Sequence, residues 1–168
     1  MVHHPIYATS VPLFWPKFWY LIEHNNKILE AQDTNGKKLW DHQFPEIIHG
    51  RPVITGSTMI LSVGSQLVGL DVNTGEIIWE VQDDVRFITN VAVQDNLAYI
   101  LRYDAAVKGI DLGTGEQVGI LKMVPNRTEE DDGGVITYYA IASSDKFVAV
   151  YYGNSQELIV FEKVDNTK

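Results

Sequence analysis

Leu67-Val-Gly-Leu-Asp-Val-Asn-Thr-Gly-Glu-Ile-Ile-Trp-Glu80 decides how this chain folds. It reads as a strand, a tight turn and a second strand, with Asn73-Thr74-Gly75 supplying the turn chemistry and Ile77, Ile78 and Trp79 the apolar return. The chain repeats it. The turn glycine recurs as Gly36, Gly75 and Gly115, at separations of 75 − 36 = 39 and 115 − 75 = 40 residues. Asn35, Thr74 and Thr114 stand one residue before it, Gln32, Asp71 and Asp111 four before, and Ala31, Leu70 and Ile110 five before. Trp40 and Trp79 stand four after, where the third copy has Gly119. A degenerate fourth copy puts Phe161, Glu162 and Asn166 where Leu70, Asp71 and Gly75 fall. Gly115 to Asn166 spans 51 residues, 11 more than 40, and the 11-residue loop-like segment Val124–Gly134 is long enough to supply the excess. A period near 40 in a unit made of strands points to propeller blades rather than to helical pairs.

Strands fill the intervals between these turns. The second unit has Arg51–Thr55, Met59–Val63, Gln66–Asp71 and Glu76–Val81, punctuated by Gly56-Ser57 and Gly64-Ser65. The third repeats this with Phe87–Val93, Leu97–Arg102, Ala106–Asp111 and Glu116–Met123. The first gives Val11–Trp15, Phe18–Glu23, Lys27–Gln32 and Lys37–Gln43, and the fourth Val135–Ala142, Phe147–Tyr152 and Glu157–Glu162. No segment sustains a helical period of apolar residues. The expected fold is therefore all-β: a propeller-like array of four four-stranded blades, about 11–44, 51–82, 87–123 and 135–168, as a single domain or as half of a larger ring.

The repeated turn has a physical reading. Gly36, Gly75 and Gly115 suit a positive φ, and Asn166 is the next-best residue for it. Asp71 and Asp111 suit acceptance of backbone N–H bonds across the turn, and Thr74 and Thr114 can do the same more weakly. Trp40 and Trp79 then sit on outer strands, placed to cover the gap between neighbouring blades.

Composition narrows the function classes. A formal net charge of −9 argues against nucleic-acid backbones and anionic membranes as partners. With no cysteine, disulfides, thiolate nucleophiles and cysteine-based zinc sites are excluded. The start Met1-Val-His-His-Pro lacks a basic region before an apolar run, so no signal peptide is visible. The most apolar stretch, Val11–Ile22, is interrupted by two prolines and Lys17 and is shorter than the ~20 residues a bilayer span needs, so no membrane insertion is expected.

Leu70-Asp71-x-x-Thr74-Gly75-x-x-x-Trp79 resembles the tryptophan-docking repeat of pyrroloquinoline-quinone-type (PQQ-like) β-propellers. The match is full at Asp71–Trp79. It is weaker at Gln32–Trp40, where Asp and Thr are lost, and partial at Asp111–Gly119, where Trp is lost. The last unit, with Ser143-Ser-Asp-Lys-Phe-Val-Ala-Val and Leu158-Ile-Val-Phe-Glu, looks more like a WD-repeat blade. The PQQ-like family includes quinoprotein alcohol dehydrogenases and non-catalytic relatives such as the propeller lipoprotein of the outer-membrane protein assembly machinery. The resemblance admits a periplasmic or secretory compartment; the residues themselves assign none. Quinoprotein dehydrogenases usually have eight blades and adjacent cysteines over the cofactor. A chain with about half the blades and no cysteine is expected to carry no quinone.

Other candidates each have a plainer explanation. Asp71-x-Asn73-x-Gly75 opens like a calcium loop, but the twelfth position, where an EF-hand needs a bidentate Glu, is Gln82. Glu129-Glu130-Asp131-Asp132 reads as a solvated loop rather than a cation site. His3, His4, His24, His42 and His49 show no helical metal spacing, and no Ser/His/Asp set can be assembled. The densest aromatics lie in Phe14–Tyr20. Trp15, Trp19 and Tyr20 are candidates for an exposed interaction surface, against the alternative that they are blade core on two strands joined at Pro16-Lys17.

The expected role is a non-catalytic binding or scaffold module for a protein or peptide partner, without cofactor, as a homodimer or part of a larger propeller. The alternatives are a fragment of a PQQ-dependent oxidoreductase or of a larger extracellular sensor. Pairing of Pro5–Thr9 beside Glu157–Glu162 is expected to complete the last blade.

Overall fold

A computed structural model describes residues 13–15, 18–23, 27–87, 91–102, 104, 106–121, 139–152 and 156–163. These form fifteen strands and no helix. The first sheet is an antiparallel meander of β1 (Leu13–Trp15), β2 (Phe18–Glu23), β3 (Ile28–Asp33) and β4 (Lys38–Gln43). The second is β5 (Ile48–Thr55), β6 (Thr58–Val63), β7 (Gln66–Asp71) and β8 (Ile77–Gln82). The third is β9 (Ala92–Gln94), β10 (Leu97–Leu101), β11 (Val107–Asp111) and β12 (Gln117–Leu121). The fourth has three described strands, β13 (Tyr139–Ser143), β14 (Phe147–Tyr152) and β15 (Glu157–Glu162).

These sheets are the four units of the repeat, with shifted strand ends. β5 begins at Ile48 rather than Arg51, and its register with β6 slips between His49 and Val53, beside Gly50 at φ 68°. The first strand of the third unit is only Ala92–Gln94, with Phe87 held separately in a bridge to Arg102. The expected partner of β15, Pro5–Thr9, lies outside the described residues, as do Val124–Gly134 and Asn166.

Alternation along each strand sends side chains to both faces, and neighbouring sheets bury them face to face. Tyr20, Ile22 and Leu29 of the first sheet meet Met59, Leu61 and Val68 of the second. Ile60 and Leu67, on the opposite face of the second, meet Ala98, Ile100 and Ile110 of the third. Tyr99, Leu101 and Val107 then meet Val148, Val150 and Tyr152 of the fourth. Most β6 and β7 residues are buried because both faces are covered, so these strands read as nearly continuous apolar runs. Among the described residues no core cluster joins the fourth sheet back to the first. The array is open, a partial propeller.

Candidate functional site

In the second and third blades the turn between the third and fourth strands joins the blade to the one before it. Asp71 accepts backbone N–H bonds from Asn73 (2.8 Å) and Thr74 (3.0 Å) on one carboxylate oxygen, and Glu76 N donates to the Thr74 hydroxyl (3.3 Å). Asp111 is bonded in the same way by Gly113 (2.8 Å) and Thr114 (3.0 Å) and also accepts from the Asn96 amide (3.0 Å). These donors favour the carboxylate and hold both acids below their usual pKa, Asn73 contributing most at Asp71 and Thr114 at Asp111. Gly75 and Gly115 both have φ 74°, the left-handed region a side chain resists.

The preceding blade docks on this turn. The Trp40 indole N–H donates to Val72 O (3.2 Å), and the buried Tyr20 hydroxyl donates to the same oxygen (2.9 Å). The two rings lie 5.8 Å apart, tilted by 46°. Burial first, and then the Asp71 charge, push the Tyr20 phenol up to about 12, so it remains a donor throughout the physiological range. Tyr20, 2% exposed, is therefore a core anchor and not part of an interaction surface. β2 carries it on the face turned to the second blade, where its hydroxyl has a carbonyl to meet. Trp15 and Trp19 occupy β1 and β2, and their side chains lie outside the described residues. Trp79 repeats the position of Trp40 one blade on, but its buried indole nitrogen has no hydrogen-bond partner among the described residues.

The first blade corrects the alignment on its glycine. Ala31 pairs with Trp40 as Gly69 pairs with Trp79, and the register slips immediately after each. The counterpart of Asp71 is therefore Asp33, not Gln32. Asp33 accepts from Asn35 N (2.8 Å) and Lys37 N (2.9 Å), and Gly36 N donates to Asp33 O (3.0 Å). In the second blade the corresponding backbone bond runs from Gly75 to Asp71, one residue further back. The first turn is one residue shorter, and its aspartate is retained.

A second junction element is ionic. Asp83, just after β8, has a side chain only 1% exposed. It accepts from Lys108 Nζ of β11 at 2.7 Å and faces Arg102 at 3.3 Å, while Arg102 also reaches Asp84 and Asp104. Burial opposes the Asp83 charge. The hydrogen bonds from Lys108 and from Val85 N, with the Lys108 charge, outweigh burial and bring its pKa down to about 2. Periodicity could not show this cluster, because in the second blade the position of Lys108 is held by Val68.

The fourth blade ends the described array on an apolar face. On β14 and β15, Val148, Val150, Ile159 and Phe161 turn toward the third blade. Strand alternation puts Phe147, Ala149, Tyr151, Leu158 and Val160 on the other face, and all but the half-buried Ala149 are exposed, Leu158 by 65% and Val160 by 53%. Counted from the aspartate position, Leu158 and Tyr151 correspond to Leu67 and Ser62 and to Val107 and Leu101, and all four of those are buried against a following blade.

The chain matches the family described as outer membrane protein assembly factor BamB over residues 24–163, five-sixths of its length. It belongs to that family. Among solved structures, BamB from Moraxella catarrhalis is 19% identical with a TM-score of 0.61, over 87% of this chain and 50% of that one. The chain thus spans half the length of that relative. The computationally designed Ika4 protein superposes with a TM-score of 0.72 at 13% identity, over 91% of this chain and 89% of Ika4. A europium-containing methanol dehydrogenase is 15% identical with a TM-score of 0.57, over 65% of this chain and 23% of that one. At these identities the structures show the fold alone, a PQQ-like propeller. No curated protein matches the chain by sequence.

The described residues hold no group of three or more His, Asp or Glu placed to bind a metal ion. Asp71 and Asp111, the residues most like metal ligands in sequence, already accept from their own turns.

Proposed function

We propose that this BamB-family chain is a non-catalytic scaffold module that associates through the outer face of its fourth blade, and that the occupant of that face is a second copy of the chain. The apolar face of Phe147, Tyr151, Leu158 and Val160 carries this reading, because the counterparts of Tyr151 and Leu158 in the second and third blades are buried against a following sheet. Contiguous exposed apolar surface on a sheet marks an interface. A second copy supplies further blades of the same spacing and twist, and two such chains would reach the length of the BamB relative that this chain half covers. The repeated polar turns and the ionic junction serve this role by fixing neighbouring blades relative to each other.

Light scattering on the purified chain tests the reading. A dimer has a mass of 2 × 18.9 = 37.8 kDa, and Val160→Asp or Leu158→Asp should return it to 18.9 kDa with strand content intact. A folded wild-type monomer at micromolar concentration would remove the second copy as occupant. Oxidation of a small alcohol by the pure chain supplied with PQQ would remove the non-catalytic assignment.

A further inference from the structure

The first two blade junctions are each filled by a tryptophan. Trp40 covers the second blade's turn so closely that a Cβ added to Gly75 would lie 2.6 Å from its ring. Trp79 lies across Gly69, where an added Cβ would lie 2.3 Å from ring atom Cε2, and a Cβ on Gly115 of the next turn would lie 3.4 Å from Trp79 Cβ. The third blade keeps the seat but has no ring to fill it. Gly109 pairs with Gly119 as Gly69 pairs with Trp79. A Cβ on Gly119 would meet nothing within 4 Å, and one on Gly109 would find no ring of its own outer strand above it, only Val118 at 3.2 Å, Tyr99 at 3.7 Å and the Gly119 carbonyl at 3.8 Å.

A cavity of about 500 Å³ opens at this place, between the outer strands of the third blade and the β13–β14 turn of the fourth. Tyr99, Val118 and Gly119 give it an apolar wall over the bare backbone of Gly109, with Asp95 at its third-blade rim, and Asp145, Lys146 and Lys163 stand on its fourth-blade side. Lys163 Nζ lies 4.6 Å from the centre of the Tyr99 ring and donates to Ser144 O.

We propose that this cavity binds a planar aromatic ring of indole size in the position that the chain's own tryptophans take at the other two junctions. The volume is in the range of small-molecule pockets. The glycine floor lets a flat ring lie on the backbone, Tyr99 offers it an aromatic partner, and the Lys146 ammonium can face its π-surface. The site recognises the same chemistry whether the ring is carried on a peptide or is free.

The test is fluorine-detected NMR of 5-fluoroindole with the whole chain, with N-acetyl-tryptophanamide as competitor. Saturable binding with a Kd at or below about 1 mM is expected for a fragment of this size. Gly119→Trp should weaken it at least tenfold by filling the cavity, and Gly119→Leu, a smaller change, guards against misfolding of the first variant. Displacement by the amide assigns a peptide-borne ring; its failure to displace, with fluoroindole bound, assigns a free one. Absence of saturable binding to the wild type, or undiminished binding to both variants, overturns the proposal. Val160→Asp, which alters the opposite face of the fourth blade, should leave fluoroindole binding intact, so this result is independent of self-association.

Discussion

Gly75→Ala measures how strongly the first blade is docked on the second. Two costs act together. Gly75 has φ 74°, and an L-residue held in the left-handed region loses about 1–2 kcal/mol. The new Cβ would also stand 2.6 Å from Cδ2 and Cε3 of Trp40, roughly 1 Å inside a normal carbon–carbon contact of about 3.5–4.0 Å. The indole cannot retreat without lengthening its 3.2 Å bond to Val72 O, so an overpacking cost of about 1–3 kcal/mol is added. The sum is about 2–5 kcal/mol, which for a chain of 168 residues lowers Tm by about 10 °C. Gly36→Ala is the internal control. Gly36 has φ 80°, but its nearest neighbour would be Gln32 Oε1 at 4.0 Å, so it bears the strain alone. Urea unfolding followed by circular dichroism should place Gly75→Ala at least 1 kcal/mol below Gly36→Ala. In a Trp40→Ala background that excess should vanish, because the clash has lost its second partner. Equal costs for the two glycine variants would refute the docking argument and leave only turn strain.

The ionic junction should make stability depend on acid. The Asp83 pKa is depressed from 3.8 to about 2, so its contribution is fully present above about pH 4, is lost as pH falls through about 2, and amounts to about 2 kcal/mol. In Asp83→Asn that part of the acid dependence should disappear, and at neutral pH the variant should lose about 3 kcal/mol because Lys108 keeps a buried charge without its closest partner; an unchanged pH profile would count against the junction. In the first blade, Asp33→Ala should lower Tm more than Gln32→Ala, since two turn N–H groups bond to Asp33. The reverse order would restore Gln32 as the counterpart of Asp71.

Some of this was legible in residues and some was not. The spacing of Gly75 and Gly115, each preceded by Thr and by Asp four residues back, identifies the unit because a left-handed turn restricts both the glycine and the acceptor. The same rule misled at Gln32. Counting back from Gly36 assumes a turn of constant length, and the first turn is one residue shorter. Aromatic density left Tyr20 open between an interaction surface and the blade core, because burial depends on which face of β2 it occupies and on a Val72 carbonyl 52 residues away. No local signal pairs Asp83 with Lys108, which are 25 residues apart and meet only because two sheets stack.

The sequence by itself determined the repeating unit, its all-β character and the turn that ends the third strand of the second and third units. These follow from interactions within a dozen residues, where alternation, glycine conformation and aspartate acceptance act locally. Only the tertiary structure decided what each face of a blade meets. Val148 and Leu158 are equally apolar in sequence, yet one is buried against the third blade and the other is 65% exposed. The substitution of Gly119 for tryptophan is visible in the sequence as a break in the repeat. That it opens a cavity follows from the stacking of the third and fourth sheets, since the volume a missing side chain leaves is set by the neighbours around it.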